Sequence, residues 1–274
     1  MRVFISSDIE GVAAVVSREE TGAAGFDWGR ARERMTREVL AAMDGARAAG
    51  ARGFVVADSH GSALNLIPEM MPDDAELVRG WPRPLLMMEG IDRGDFACAF
   101  LLGYHSGVSW RSGVLAHTFY GRMISRFRIG GRDMPEAAVS AATAGQFGVP
   151  TTLVSGDDAC IEETLGLLGR VETVTTKRSL GLFAAQARPL AVVEAELRAA
   201  AERAVAGAGR IAPWRLQGPL EVEIEFKAAI MAEVLGYLPQ FERVGASAVR
   251  FAADDAGQVA RTVQFFIQTL PGLA

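Results

Sequence analysis

The 274-residue sequence predicts an α/β fold: a mainly parallel sheet flanked by helices in three layers, with a smaller C-terminal α/β lobe. Three observations predict it. Residues 1–60 read as strand, helix, strand, the spacing of a βαβ unit, which implies parallel pairing. Short apolar runs then recur at 99–105, 113–119 and 151–158. After residue 219 the pattern restarts with "LEVEIEF", a helical segment, "VGASAVRFAA" and a last helix from about residue 255.

Each element has its own signal. "MRVFISS" is rich in β-formers and ends in polar residues. A helix is expected from Asp27 as N-cap, with Trp28, Met35, Val39, Met43 and Ala46 at helical spacing and Gly50 closing it. "GFVVADSH" (53–60) is a second buried strand, and "AFLLGYH" (99–105) and "GVLAHTF" (113–119) are further ones. "SRFRIGGRDM" (125–134) predicts a hairpin around Gly130-Gly131. A helix is expected to start near Pro135-Glu136, since proline suits a first turn. "TTLVSGDD" predicts a strand and "IEETLGLLG" a helix. An amphipathic helix is expected over 189–208, with Leu190, Val193, Leu197, Ala204 and Val205 on one face. "GRIAPWRLQGP" (209–219) is the best internal linker. The expected organisation is therefore a catalytic region over 1–208 and a lobe over 220–274 packed on it, or one domain containing both.

Half of the residues are apolar and 22% are charged, which excludes a disordered or fibrous class. The net charge of −5 comes without any basic cluster, so neither nucleic acid nor an anionic membrane surface is an expected partner. Of the 28 basic residues only Lys177 and Lys227 are lysines, which reads as a compositional bias without functional content. Cys98 and Cys160 lie far apart and read as small buried hydrophobes in a reducing compartment. The start of the chain lacks the layout of a secretory signal, and the most apolar run, "FACAFLLGY", is half a membrane span. A soluble cytoplasmic protein is expected.

Four of the predicted strands share an ending. The first ends in Asp8 and Glu10, the second in Asp58-Ser59-His60, the third at His105, and the next carries His117. In a parallel sheet the carboxyl ends of the strands form the ligand crevice. Asp8 and Glu10 can aim at one point if the chain stays extended through Ile9, and Gly11 then allows a tight exit. All three histidines of the chain lie on this presumed rim. Imidazole with carboxylate is a ligand set for zinc, manganese or cobalt, and several of each suggest a two-metal centre. Taken singly, each signal has an ordinary structural reading: a solvated turn for the acids, a hydrogen-bonded core residue for each histidine. Their coincidence on consecutive strand ends carries the metal reading. No HExxH, GxSxG or phosphate-binding glycine loop competes with it.

These residues resemble the zinc D-aminopeptidases, the metallopeptidase family once called dipeptide-transport protein A. The matching motifs are "SxDxEG" (Ser6 to Gly11), "DSH" (58–60), "EG" (Glu89, Gly90), "LGYH" (102–105), Gly113-Val114 with His117, and "GDD" (156–158). The resemblance implies a peptidase with two zinc ions per chain that removes an amino-terminal residue, often a D-amino acid, from short peptides through a zinc-activated water. It implies Asp8, Glu10, His60, His105 and Glu136 as metal ligands, with Asp8 as bridge, and His117 as the catalytic residue. Glu89, Asp157 and Asp158 are candidates to bind the substrate's amino group. One region departs from the family: "VGExGLNA" is here "MPEAAVSAA", with Ala138 for glycine and Ser140 for asparagine. The resemblance also implies a ring-like homodecamer. The alternatives are a two-metal phosphoesterase, a phosphatase with Asp8 as nucleophile, and a non-catalytic peptide-binding protein.

Overall fold

The opening apolar run forms β1 (Arg2–Ser7), an inner strand of a seven-stranded sheet in the computed structural model, which describes residues 1–273. The chain continues through α1 (Trp28–Ala48), β2 (Gly53–Asp58), β3 (Ala75–Val78) and β4 (Phe96–Tyr104). A hairpin, β5 (Ile124–Ile129) and β6 (Arg132–Asp133), precedes α2 (Glu136–Gln146), β7 (Thr151–Asp157) and α3 (Asp158–Leu168). Next come β8 (Glu172–Gly181), β9 (Ala184–Ala187) and α4 (Leu190–Gly207). The last part holds β10 (Leu220–Phe226), α5 (Ala229–Leu235), β11 (Glu242–Arg243), β12 (Ala248–Ala253) and α6 (Ala256–Thr269).

The large sheet has the order β3-β2-β1-β4-β7-β8-β9 and is parallel except for β9, which returns antiparallel to β8. Its central strands alternate in the expected way. Val3, Ile5, Phe54, Val56, Cys98 and Phe100 face one core with α1 and α4, while Phe4, Val55, Ala99 and Leu101 face the other with α2 and the second sheet. Both faces are covered, so the strands are apolar throughout. Each fully buried Phe or Ile contributes roughly 1.5–3 kcal/mol. The predicted α/β class with a mainly parallel sheet is thus the observed one.

The second sheet is antiparallel, in the order β11-β12-β10-β5-β6. It joins residues 124–133 to residues 220–253, so it draws on both sides of the 209–219 segment. That segment lies against α2: Arg215 donates to the Gly145 carbonyl, and Trp214 and Leu216 pack on the core. Gly130 and Gly131 form the hairpin turn, both with positive φ (59° and 75°), as a tight two-residue turn requires.

Several expectations are corrected. Asp27 does occupy the N-cap position of α1, but its carboxylate pairs with Arg30 and Arg34 instead of capping. Residues 113–119 are a loop, not a strand: Leu115 and Phe119 take left-handed φ values (55° and 58°), which no strand allows. β3, β8 and β9 carried no signal strong enough to predict. β8 reads as polar because much of its length is only partly buried.

The topology contains a switch. From β1 the chain steps one way to β2 and β3, then crosses to the other side of β1 to form β4. Such a reversal opens a crevice at the carboxyl ends of the strands concerned. His60 follows β2, Asp8 and Glu10 follow β1, and His105 follows β4, so all four residues lie at that crevice.

Candidate metal centre

Beyond its last ladder residue β1 stays tied to β4. The Asp8 N–H donates to the Leu102 carbonyl (2.8 Å) and the Gly11 N–H to the Gly103 carbonyl (2.7 Å). The chain does not stay extended: Ile9 to Val12 form a turn closed by Val12 N–H to the Ile9 carbonyl (3.1 Å). Asp8 and Glu10 therefore converge by a turn and not by strand alternation. Gly11 is required there, because a Cβ at this position would overlap the Tyr104 carbonyl.

Two groups of donors result. In the first, His60 Nδ1 lies 2.8 Å from Glu10 Oε2 and 3.1 Å from Asp8 Oδ1. In the second, His105 Nε2 lies 3.3 Å and His117 Nε2 3.8 Å from Glu136 Oε1. Within each group the donor atoms lie within 4.8 Å of one another. Asp8 joins the groups, since its Oδ2 is 3.4 Å from His105 Nε2. Glu136 opens α2, where the positive end of the helix favours a carboxylate, and Oε1 accepts from the Phe119 N–H (2.6 Å).

Every imidazole is oriented through its other nitrogen. His60 Nε2 meets the Thr21 carbonyl (2.5 Å), His105 Nδ1 the Ser106 carbonyl (3.0 Å) and His117 Nδ1 the Leu115 carbonyl (2.8 Å). A carbonyl only accepts, so that nitrogen carries the proton. The remaining nitrogen of each ring then faces carboxylate oxygens, an unfavourable arrangement unless positive charge, from a proton or a metal ion, lies between them. This outer support is what metal-binding histidines use.

The electrostatics agree. Burial opposes a charged His60, yet Glu10 and then Asp8 outweigh it and hold the imidazole well above its usual range. Burial likewise opposes charge on His105, and Glu136 followed by Asp8 raises it to about 10. Burial, then the Glu10 charge, push Asp8 up to about 7. Glu10 and Glu136 are held low: burial works against this, and His60 and His105 respectively overcome it. His117 differs from its two companions, lowered by burial and by the charge of His105. Asp8 Oδ2, Glu10 Oε2 and His105 Nε2 are buried without a hydrogen-bond partner. Buried polar atoms are rarely left so, and three converging ones with N and O donors fit divalent transition metal ions.

The structure thus brings together Asp8, Glu10, His60, His105, His117 and Glu136. It does not bring the other three expected residues into either donor group. Glu89 accepts from the Leu85 N–H (3.0 Å) and pairs with Arg93 (2.7 Å). Asp158 accepts from the Ala159 and Ser179 N–H groups (3.1 and 2.7 Å). Asp157 Oδ1 caps α3 at Cys160 N–H (2.8 Å) and Oδ2 accepts from Val114 N–H (2.6 Å), so it pins the loop that carries His117. Sequence reasoning missed that function because nothing local links Asp157 to Val114. Ser140, the departure from the family motif, extends a buried hydroxyl chain to Tyr104 (3.1 Å), Ser6 (2.7 Å) and Ser59 (2.7 Å).

A carboxylate–imidazole cluster at the switch point of a parallel sheet defines a metal-dependent hydrolase. The chain belongs to the D-aminopeptidase family, peptidase M55, whose model matches residues 1–265. A D-aminopeptidase of Bacillus subtilis (strain 168) is 28% identical over 257 residues, covering 93% of this chain and 92% of that protein. A solved structure, the zinc-dependent D-aminopeptidase DppA from Bacillus subtilis, described as a self-compartmentalizing protease, matches with a TM-score of 0.92. It is 27% identical, over 98% of this chain and 97% of that one.

Proposed function

We propose that this chain is a zinc aminopeptidase that removes the N-terminal residue, D-configured by preference, from short peptides. The observation that carries the reading is the pair of donor groups joined by Asp8, whose buried Oδ2 has no hydrogen-bond partner and faces His105 Nε2 at 3.4 Å. Asp8, Glu10 and His60 would hold one ion, and His105 and Glu136 the other, with Asp8 offering an oxygen to each. When bound, two such ions supply Lewis acidity, polarising the scissile carbonyl and making water nucleophilic near neutral pH.

His117 is the residue we assign to proton transfer. Its side chain is 23% exposed, against 10% for His60 and 1% for His105, so substrate reaches it first. Its Nδ1 proton is committed to the Leu115 carbonyl, which leaves Nε2 as the atom that takes a proton and returns it to the leaving amine. Burial and then the charge of His105 lower the proton affinity of this ring, which favours a free Nε2. The test is His117→Ala, assayed on D-alanyl and L-alanyl peptides beside a phosphomonoester. Two ions retained with peptidase activity lost supports the assignment. Loss of one ion instead makes His117 a ligand, as its place beside His105 and Glu136 also permits. Near-normal activity removes it from the mechanism, and phosphomonoester turnover alone would favour the phosphoesterase.

The likeness to a self-compartmentalizing relative supports a homo-oligomer, and we take it to be a decamer of 29.2 kDa chains, measurable by light scattering. Exposed Leu180, Leu182 and Phe183 around the β8–β9 turn are consistent with such contacts. Free buried Cys98 and Cys160 support a cytoplasmic setting. Among the described residues no helix is long and apolar enough to cross a membrane.

A further inference from the structure

We infer that Lys177, with Thr176 beside it, is a positioning residue for the metal centre, holding the backbone turn that carries Glu10. The inference rests on the reading above that Asp8, Glu10 and His60 hold a metal ion. The two lysines of the chain stand among 28 basic residues, so an arginine would be the default here. Lys177 is fully buried, which is rare for a lysine and costly in desolvation. No carboxylate forms an ion pair with it among the described residues. Its ammonium is instead spent on backbone: Nζ donates to the Glu10 carbonyl and to the Val12 carbonyl (2.8 Å). Thr176 Oγ1 donates to the carbonyl between them, that of Gly11 (2.5 Å).

Three successive carbonyls of the Glu10 turn are thus held by two successive residues of β8. In a regular strand those side chains would point to opposite faces. Here the pairing of β7 with β8 steps from Gly156–Thr175 to Asp157–Lys177, so Thr176 is an extra residue in a bulge. A bulge re-aims side chains, and both now reach the same turn. An ammonium on a flexible stem can direct separate N–H groups at two point acceptors, whereas a guanidinium is a planar fork shaped for carboxylates. The turn is fixed from its other side as well, by the Ala13 N–H to Glu38 Oε1 (2.8 Å) and the Gly11 N–H to the Gly103 carbonyl. Lysine at 177 is therefore a geometric requirement and not a compositional accident.

The experiment titrates the metal-stripped full chain with zinc against a chromogenic chelator, and records the urea midpoint of the metal-free chain beside it. Lys177→Met is expected to weaken one binding step about ten- to a hundredfold, the scale of lost outer-sphere support. Thr176→Val, which changes no charge, is expected to weaken it about two- to tenfold, the scale of one hydrogen bond. Thr176→Ser, which keeps the hydroxyl, is expected to match the wild type. A folded Lys177→Met that binds zinc as the wild type does overturns the inference, even if its urea midpoint falls, because the lysine is then merely structural. If Lys177→Met does not fold, wild-type affinity in Thr176→Val overturns it equally. A wild-type chain that binds no zinc removes the underlying metal reading instead, so the two failures are distinct.

Discussion

Asp8 Oδ2 lies 3.4 Å from His105 Nε2, and neither atom has a hydrogen-bond partner. The same carboxylate meets His60 through Oδ1, so one side chain links both donor groups. Asp8→Asn replaces one oxygen by an NH2 group, which cannot accept or ligate. Metal content measured by elemental analysis is expected to fall to less than half of the wild-type value. Peptidase activity should fall further than the roughly 10–100-fold typical of outer-sphere changes. Two ions retained in this variant would show that Asp8 does not bridge.

Gly11 approaches the backbone of β4 so closely that a Cβ would overlap the Tyr104 carbonyl. Gly11→Ala must therefore push the Glu10 turn away from β4. The expected cost is about 1–3 kcal/mol of stability, the range for overpacking in a close-packed interior. Zinc affinity should drop in the same variant, and denaturant titration with and without metal separates the two effects.

Asp157 spends one oxygen on capping α3 and the other on the Val114 N–H. Asp157→Asn keeps a good cap, yet its amide NH2 faces another donor at Val114. The expected stability loss is about 1–3 kcal/mol, that of an unsatisfied buried group. Because Val114 begins the segment leading to His117, kcat is expected to fall with KM and zinc content unchanged. An equal fall in metal content would place the effect on the ligands instead.

Glu38, which is not itself a donor, supplies a pH dependence of its own. Burial pushes its carboxyl up to about 7, the Ala13 N–H acting against the shift. The folded chain therefore holds this proton more tightly than the unfolded chain between pH 4.5 and about 7. Stability from this group is fully present below pH 4.5 and is lost as pH rises through 7, by about 3 kcal/mol in all. Glu38→Gln removes the titration and keeps an acceptor for Ala13. Its urea-unfolding free energy relative to wild type should climb between pH 4.5 and 7.5; a difference independent of pH would contradict the assignment.

The sequence by itself determined the central strands and four of the six clustered side chains. Val3, Ile5, Phe54 and Phe100 mark strands buried on both faces, and a parallel sheet puts its carboxyl ends at one rim. Asp8, Glu10, His60 and His105 follow those ends within two or three residues, so their meeting is a local consequence of the fold class. Glu136 was legible through family resemblance at a helix start. Only the tertiary structure decided the rest. His117 was expected on a strand and reaches the site on a loop instead, because Leu115 and Phe119 take left-handed φ values that their apolar run does not signal. Asp157 and Lys177 act on backbone 43 and 165–167 residues away in sequence, through carbonyls and N–H groups that every residue possesses. Side-chain periodicity records which face is apolar. It records nothing about which distant backbone group a buried aspartate or lysine will hold.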